Sequence, residues 1–230
     1  MDIHGLQKLT LLDYPGKVAC TAFLGGCNLR CPFCHNGALV LEPGPPILTG
    51  EELLAFLARR RGLLDGVCIT GGEPLLHPDL PRLLEAVKGL GFCLKLDTNG
   101  GFPRALEDVI ARGLVDYVAM DIKNSLARYP ETAGVPGLDT APYRESAALL
   151  LEGRVDFEFR TTVVRELHDE DSFRAIGPWL AGARRYFLQS FVDRDTVLTP
   201  GLHPCSRAEM EAFAAIVRPY IPQVELRGTD

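Results

Sequence analysis

Positive charge is in short supply in this chain. Its 24 Lys and Arg face 30 Asp and Glu, for a net charge of −6. With no basic excess to displace counterions, the balance argues against a nucleic acid as the main partner. Long apolar runs are missing too, so no segment reads as membrane-spanning. The opening Met1-Asp2-Ile3-His4 has no basic stretch leading into an apolar core, which is the mark of an export signal. These absences point to the cytoplasm. In that compartment the seven cysteines read as ligands or buried thiols, not as disulfides. Internal repeats and a linker are also absent. At 230 residues, 47% apolar and 23% charged, the chain suits a single domain, 1–230, with a sizeable core.

What is present centres on Cys27-Asn-Leu-Arg-Cys31-Pro-Phe-Cys34, entered through Gly25-Gly26. A four-iron cluster normally takes four cysteines. Three on one loop would leave one iron open to a ligand that is not protein. Two other chemistries compete. Zinc could use the three thiols with His35 as a Cys3His set, although paired C-x2-C knuckles are absent. Cys31-Pro-Phe-Cys34-His35 also matches the haem c attachment pattern, which belongs to exported proteins. Cluster binding is the favoured reading. Cys20, Cys68 and Cys93 sit in apolar or β-branched runs and read as core thiols; Cys205, after Pro204 in a polar loop, reads as a candidate for exposure.

The rest of the chain alternates strand and helix patterns. Residues 1–17 read as an irregular lead-in with a turn at Tyr14-Pro15-Gly16. Strands are expected at Val18–Leu24, Gly66–Thr70, Phe92–Leu96, Tyr117–Met120, Asp156–Val164 and Arg185–Phe191. Helices are expected from a capping box at Thr49 and Glu52 to about Arg61, then over Asp79–Lys88, Phe102–Arg112, 142–152 and 170–182. A last helix, 206–217, within a C-terminal helix and tail 206–230, should pack across one end. Six strand–helix units are too few to close an eight-stranded barrel. The expectation is an α/β fold, an open (β/α)6 partial TIM barrel with right-handed crossovers.

Polar, Gly-rich signals fall at the C-terminal ends of the first four strands, where parallel α/β sheets bind ligands. Gly71-Gly72-Glu73-Pro74 is either a plain β-to-α turn or a place where backbone approaches a ligand. Asp97-Thr98-Asn99-Gly100 and Asp121-Ile122-Lys123 end the third and fourth strands. Carboxylates on neighbouring strand ends repel unless a cation lies between them. Lys123 can supply one such charge and a bound monovalent cation another. His4, His77, His168 and His203 lack spaced partners and read as loop or surface residues. The loop 124–138 has the length at which loops are usually functional.

The C-x3-C-x2-C spacing, its Gly lead-in and Phe33 before the last Cys resemble the cluster loop of the radical S-adenosylmethionine (SAM) superfamily. That resemblance implies a [4Fe-4S] cluster on Cys27, Cys31 and Cys34, with SAM chelating the open iron. It implies SAM contacts from Phe33 at the adenine, from Gly71, Gly72 and Glu73, from Asp97, Thr98 and Asn99, from Asp121 and Lys123 near the carboxylate and ribose, and from Arg160, Thr162 and Gln189 on the last two strands.

A finer resemblance is to activating proteins of glycyl-radical enzymes, and among them those of anaerobic ribonucleoside-triphosphate reductase. It is carried by Gly5–Lys17 (GLQKLTLLDYPGK), Phe23–Cys27, Cys34–Gly37, Asp121–Lys123 and Tyr129–Gly134 (YPETAG). It implies a glycyl-radical enzyme as partner, a flavodoxin- or ferredoxin-type electron donor, and a loop 124–138 that receives the partner's glycine. Between Gly37 and Gly71 the one cysteine is Cys68, too few for the inserted ferredoxin-like segment that some activating proteins carry. The alternatives are a radical SAM enzyme acting on a small molecule, such as a deazaguanine-type ring synthase, and a non-catalytic zinc module.

Overall fold

The computed structural model describes residues 1–229 as two compact units. The first comprises Met1–Asn28, Ala38–Ala119 and Arg154–Asp156; the second comprises Leu29–Gly37, Met120–Gly153 and the chain from Phe157 on.

The first unit opens with β1 (Asp2–Ile3), β2 (Gly5–Thr10) and β3 (Ala19–Leu24). After the cysteine loop come α1 (Gly37–Leu41), β4 (Leu48–Thr49), α2 (Gly50–Ala58), β5 (Gly66–Gly71) and a single 3-10 turn at Pro74–Leu76. Then follow α3 (Leu80–Gly89), β6 (Cys93–Thr98), α4 (Pro103–Ala111) and β7 (Tyr117–Asp121), the last of which also carries residues of the second unit. β3, β5 and β6 are parallel neighbours. β3 is buried along nearly its whole length, as a strand covered on both faces must be, and it reads as a continuous apolar run for that reason. The capping box forms as the sequence dictates: Thr49 Oγ1 accepts from the Glu52 amide at 3.2 Å and Glu52 Oε2 accepts from the Thr49 amide at 2.8 Å.

The second unit contains α5 (Tyr129–Thr132), α6 (Ala141–Leu151), β8 (Asp156–Val163), α7 (Glu170–Trp179), β9 (Arg185–Ser190), α8 (Arg207–Val217) and β10 (Gln223–Arg227). β8, β9 and β10 run parallel. Helices α7 and α8 pack through Phe173 and Phe213, whose rings stack with centroids 4.6 Å apart.

All six expected strands are present within a residue or two of their expected ends, in a mostly parallel α/β fold. Three readings change. Residues 1–17 are not irregular: β2 pairs antiparallel with β3. Its Gln7, Lys8 and Leu9 are exposed, so the one-sided alternation that marks a half-buried strand is weak. The tail beyond α8 is a further strand, β10, aligned with β9 from Gln223↔Arg185 to Arg227↔Gln189. That makes α8 a crossover helix, not a cap across one end. Finally, the segment 124–138 contains the short α5 and buries Asn124, Ser125, Tyr129, Thr132 and Ala133, with Ala127, Glu131, Pro136 and Gly137 exposed.

Candidate cofactor site

In the first unit the strand ends of β3, β5 and β6 are laced together by backbone and by one carboxylate. The amide of Gly72 donates to Leu24 O and that of Glu73 to Gly26 O, each at 2.8 Å. Gly71 has φ +124°, and a Cβ there would overlap the Leu24 backbone; one at Gly72 would overlap the Gly26 carbonyl. The glycine pair is therefore demanded by the lead-in to the cysteine loop, which lies directly against it. Glu73 is fully buried. Its Oε1 accepts from the Leu75 amide at 3.0 Å and from Thr98 Oγ1 at 2.8 Å, and its Oε2 from the Asn99 amide at 2.6 Å. An ionised buried carboxylate is tolerable only with such donors. Its charge thus holds the loops after β5 and β6 in register with each other.

Asn99 reaches on to the cysteine loop. Its Nδ2 donates to Asn28 Oδ1 at 2.8 Å and lies 3.7 Å from Cys27 Sγ, a contact that favours the thiolate, the form that binds metal. Asp97 pairs with Lys95 on the same strand.

In the second unit Cys31 and Cys34 close a turn, the Cys34 amide donating to Cys31 O at 3.0 Å. Phe33 between them is 5% exposed and has Lys123 Nζ 6.0 Å from its ring centroid. At the end of β7, Asp121 accepts from Arg160 Nε at 2.9 Å and from Lys123 Nζ at 3.2 Å. Burial raises the Asp121 pKa, but the charges of Arg160 and Lys123 outweigh it and hold the group at about 2. Lys123 is pulled down by burial and pushed further up by Asp121 and by the thiol groups of Cys31 and Cys34. It is an ammonium at all working pH values. Thr162 on β8 and Gln189 on β9 are register partners, each half-exposed. Asp121 thus stands ionised between an ammonium and a guanidinium.

Some expectations fail on burial. His168 is not a surface residue; it is 4% exposed, with Nε2 on Lys123 O at 2.8 Å and Nδ1 accepting from the Val164 amide at 3.1 Å. Burial lowers its pKa, so it stays neutral and pins the carbonyl of the site lysine. Cys205 is 7% exposed, and burial pushes its thiol up to about 11. Tyr129 is fully buried, its hydroxyl donating to Asp121 O at 3.3 Å and its ring on Tyr143. It supports β7 from within and has no face to offer a partner. Gly134, at φ +66°, abuts the Arg30 backbone, where a Cβ would overlap the carbonyl, and the Arg30 amide donates to Ala133 O at 2.9 Å. The segment 124–138 is thus a brace for the cysteine loop. His35 has its Nε2 2.6 Å from Val192 O and its ring stacked on Phe191. Lys95 escaped the sequence reading altogether. It stands two residues before Asp97, on the same face of the strand.

All seven cysteines are free thiols. Among the described residues no three His, Cys, Asp or Glu side chains are already gathered where they could hold a metal ion. By donor chemistry the loop fits a thiolate-bound cluster: three thiols, an amide donor at Cys27 and an ammonium near Cys31 and Cys34.

Comparison with known proteins agrees. The radical SAM superfamily profile matches residues 21–174, well over half of the 230. This chain belongs to the radical SAM superfamily. Its members carry a [4Fe-4S] cluster and SAM, and the chain is an enzyme of that class. A provisionally named glycyl-radical enzyme activating enzyme of Methanocaldococcus jannaschii, MJ1227, is 31% identical over 98% of this chain and 95% of its own length. The pyruvate formate-lyase-activating enzyme of Clostridium pasteurianum is 36% identical over 53% of this chain and 52% of its own. A 7-carboxy-7-deazaguanine synthase of Hyperthermus butylicus is 46% identical, over 41% of this chain and 40% of its own. Among solved radical SAM folds, Streptococcus suis SuiB superposes with a TM-score of 0.71 over 90% of this chain and 48% of SuiB, at 15% identity. Among the described residues no helix is long and apolar enough to cross a membrane.

Proposed function

We propose that the chain is an activating enzyme that generates a glycyl radical on a partner protein. The observation that carries this reading is similarity along almost the whole length to the M. jannaschii relative, 98% of one chain against 95% of the other. The segments Gly5–Lys17 and Tyr129–Gly134 support anaerobic ribonucleoside-triphosphate reductase as that partner, with a flavodoxin- or ferredoxin-type donor in the cytoplasm. When bound and supplied with one electron by that donor, the cluster and SAM would provide the hydrogen-abstracting 5′-deoxyadenosyl chemistry that a glycyl radical requires.

The chain's own work is positioning. Cys27, Cys31 and Cys34 hold the cluster as thiolates. Gly71 and Gly72 let the lead-in of the cysteine loop lie on β5, and Glu73 locks Thr98 and Asn99 in place. Lys123 and Arg160 place cationic groups at the end of β7 that suit the SAM carboxylate. Phe33 suits the adenine, and Thr162 and Gln189 offer polar groups in one row. A primary alkyl radical attacks almost any C–H bond, so this framework must stay rigid and dry.

The second reading is a small-molecule radical enzyme of the deazaguanine-synthase kind. It is favoured by the 46% identity to the H. butylicus protein and weakened by the 41% coverage. After anaerobic reconstitution with iron and sulfide, reduced enzyme is mixed with SAM and either an anaerobic ribonucleotide reductase or a pyruvate formate-lyase. A doublet glycyl-radical signal in electron paramagnetic resonance, with 5′-deoxyadenosine released, is the expected result. SAM cleavage with no protein radical on either partner would turn the assignment to the second reading. Serine at position 27, 31 or 34 should remove both cluster iron and 5′-deoxyadenosine; unchanged iron content in any of the three would overturn the ligand assignment.

A further inference from the structure

Lys95 is a buried cation that the function described above leaves without a task. It lies on β6, 2% exposed, and pairs with Asp97, itself only 14% exposed. In register beside it stands Cys68 of β5, with Sγ 3.9 Å from Nζ. Thr21 of β3 continues the row, its hydroxyl donating to Asp13 at 2.5 Å. An ammonium taken out of water in this way persists only when an anion accompanies it. Separately, Asp121 has its own two cations, Lys123 and Arg160. Each of the two strand-end carboxylates is thus matched by charge carried on the chain. From the sequence, one of those charges was expected to come from a bound monovalent ion.

We propose that Lys95 is the built-in counter-ion of the cofactor site, its ammonium standing at Asp97 in place of a monovalent metal cation, so that SAM is bound and cleaved without potassium or sodium. An ammonium and an alkali ion seek the same carboxylate oxygens, and a tethered one is present at every salt concentration, whereas a free ion occupies its site by mass action. Lys95 touches no reacting atom. It is a positioning residue that holds Asp97 charged and in place at the end of β6, next to Thr98 and Asn99. The proposal rests on the radical SAM reading of the site.

The test uses the full chain in chlorides of potassium, sodium and tetramethylammonium at equal ionic strength. Two quantities are read: 5′-deoxyadenosine release by the reconstituted, reduced enzyme, and the melting temperature of the metal-free protein. For the wild type both should agree across the three salts. In Lys95→Met, release in tetramethylammonium should fall about tenfold below that in potassium, and potassium or sodium, but not tetramethylammonium, should raise the melting temperature. Ammonium chloride should rescue Lys95→Ala, which a merely structural role of the side chain would not allow. A wild-type enzyme whose release or melting temperature rises saturably with potassium or sodium would overturn the proposal. Absence of SAM cleavage in every salt would instead defeat the radical SAM reading, while the melting series would still decide for or against Lys95. If Lys95→Met does not fold, the wild-type salt series decides alone.

Discussion

At the scale of single residues the site is an exercise in keeping charges out of water without leaving them alone. Asp121 shows the consequence for stability. Its pKa falls from 3.8 to about 2 on folding, so the folded state binds its proton less readily than the unfolded chain does. The stabilisation is complete above the unfolded value and is lost as pH drops from about 4 through 2. With the side chain 34% exposed, screening trims it to about 1–2 kcal/mol. Urea unfolding at pH 7, 4 and 2.5 should show Asp121→Asn less stable than wild type at pH 7 and the gap closing toward pH 2.5. A gap that stays constant over that range would contradict the ion triad. Glu73 is the sterner case. Glu73→Gln keeps the shape but turns an acceptor into a partial donor against the Leu75 and Asn99 amides. It should cost about 2–3 kcal/mol in the same measurement, and the loop after β6, with Asn99, should loosen along with it. An unchanged unfolding midpoint would show that the carboxylate is dispensable.

At the scale of elements, β10 alters how the C-terminal part is understood. With β10 paired from Gln223 to Arg227, β9 is flanked on both sides, and Arg227 lies with its guanidinium carbon 3.4 Å from the Phe187 ring centroid. Val224, 8% exposed, is the apolar anchor of the strand. Val224→Asp should lower stability by about 2–3 kcal/mol, read as a shift of the thermal midpoint, and should increase aggregation because an edge is uncovered. If the midpoint does not move, β10 is not part of the fold's core. The brace 124–138 buries Tyr129 and Ala133 on one side and exposes Glu131, Pro136 and Gly137 on the other. Its Tyr129 and Gly134 face inward, so it acts on the site through the Arg30 backbone and the Asp121 carbonyl.

For the whole molecule, β7 contributes residues to both compact units, and Arg154–Asp156 belong with the first while the chain on either side belongs with the second. Chain threaded back and forth in this way should unfold as one cooperative body, the single domain expected from length. Trp179 is the one tryptophan, which makes a simple test available. Its fluorescence, which senses the second unit, should change with denaturant in step with far-ultraviolet circular dichroism, which senses the whole chain. Two separated transitions would show that the units are independent domains.

Much of this was legible in the amino-acid order, because the relevant physics is local. Apolar runs of strand length followed by capping signals set the alternation of β and α. Gly71-Gly72-Glu73 and Asp97-Thr98-Asn99 announced strand ends. The spacing of Cys27, Cys31 and Cys34 required only chain geometry and thiolate chemistry to suggest a cluster with an open corner. What remained hidden depends on partners remote in sequence. Nothing near Gln7 or Val224 says that a strand is waiting beside it. Nothing near His168 says that the Lys123 carbonyl will need its proton, and nothing near Tyr129 says that it will be buried beneath Asp121. Lys95 could be placed beside Asp97 by alternation, but its withdrawal from solvent depends on the rows formed with β5 and β3. Local pattern chose the elements and the chemistry of the loop; burial and pairing across the fold, which no stretch of chain carries alone, chose which charges would be matched and by whom.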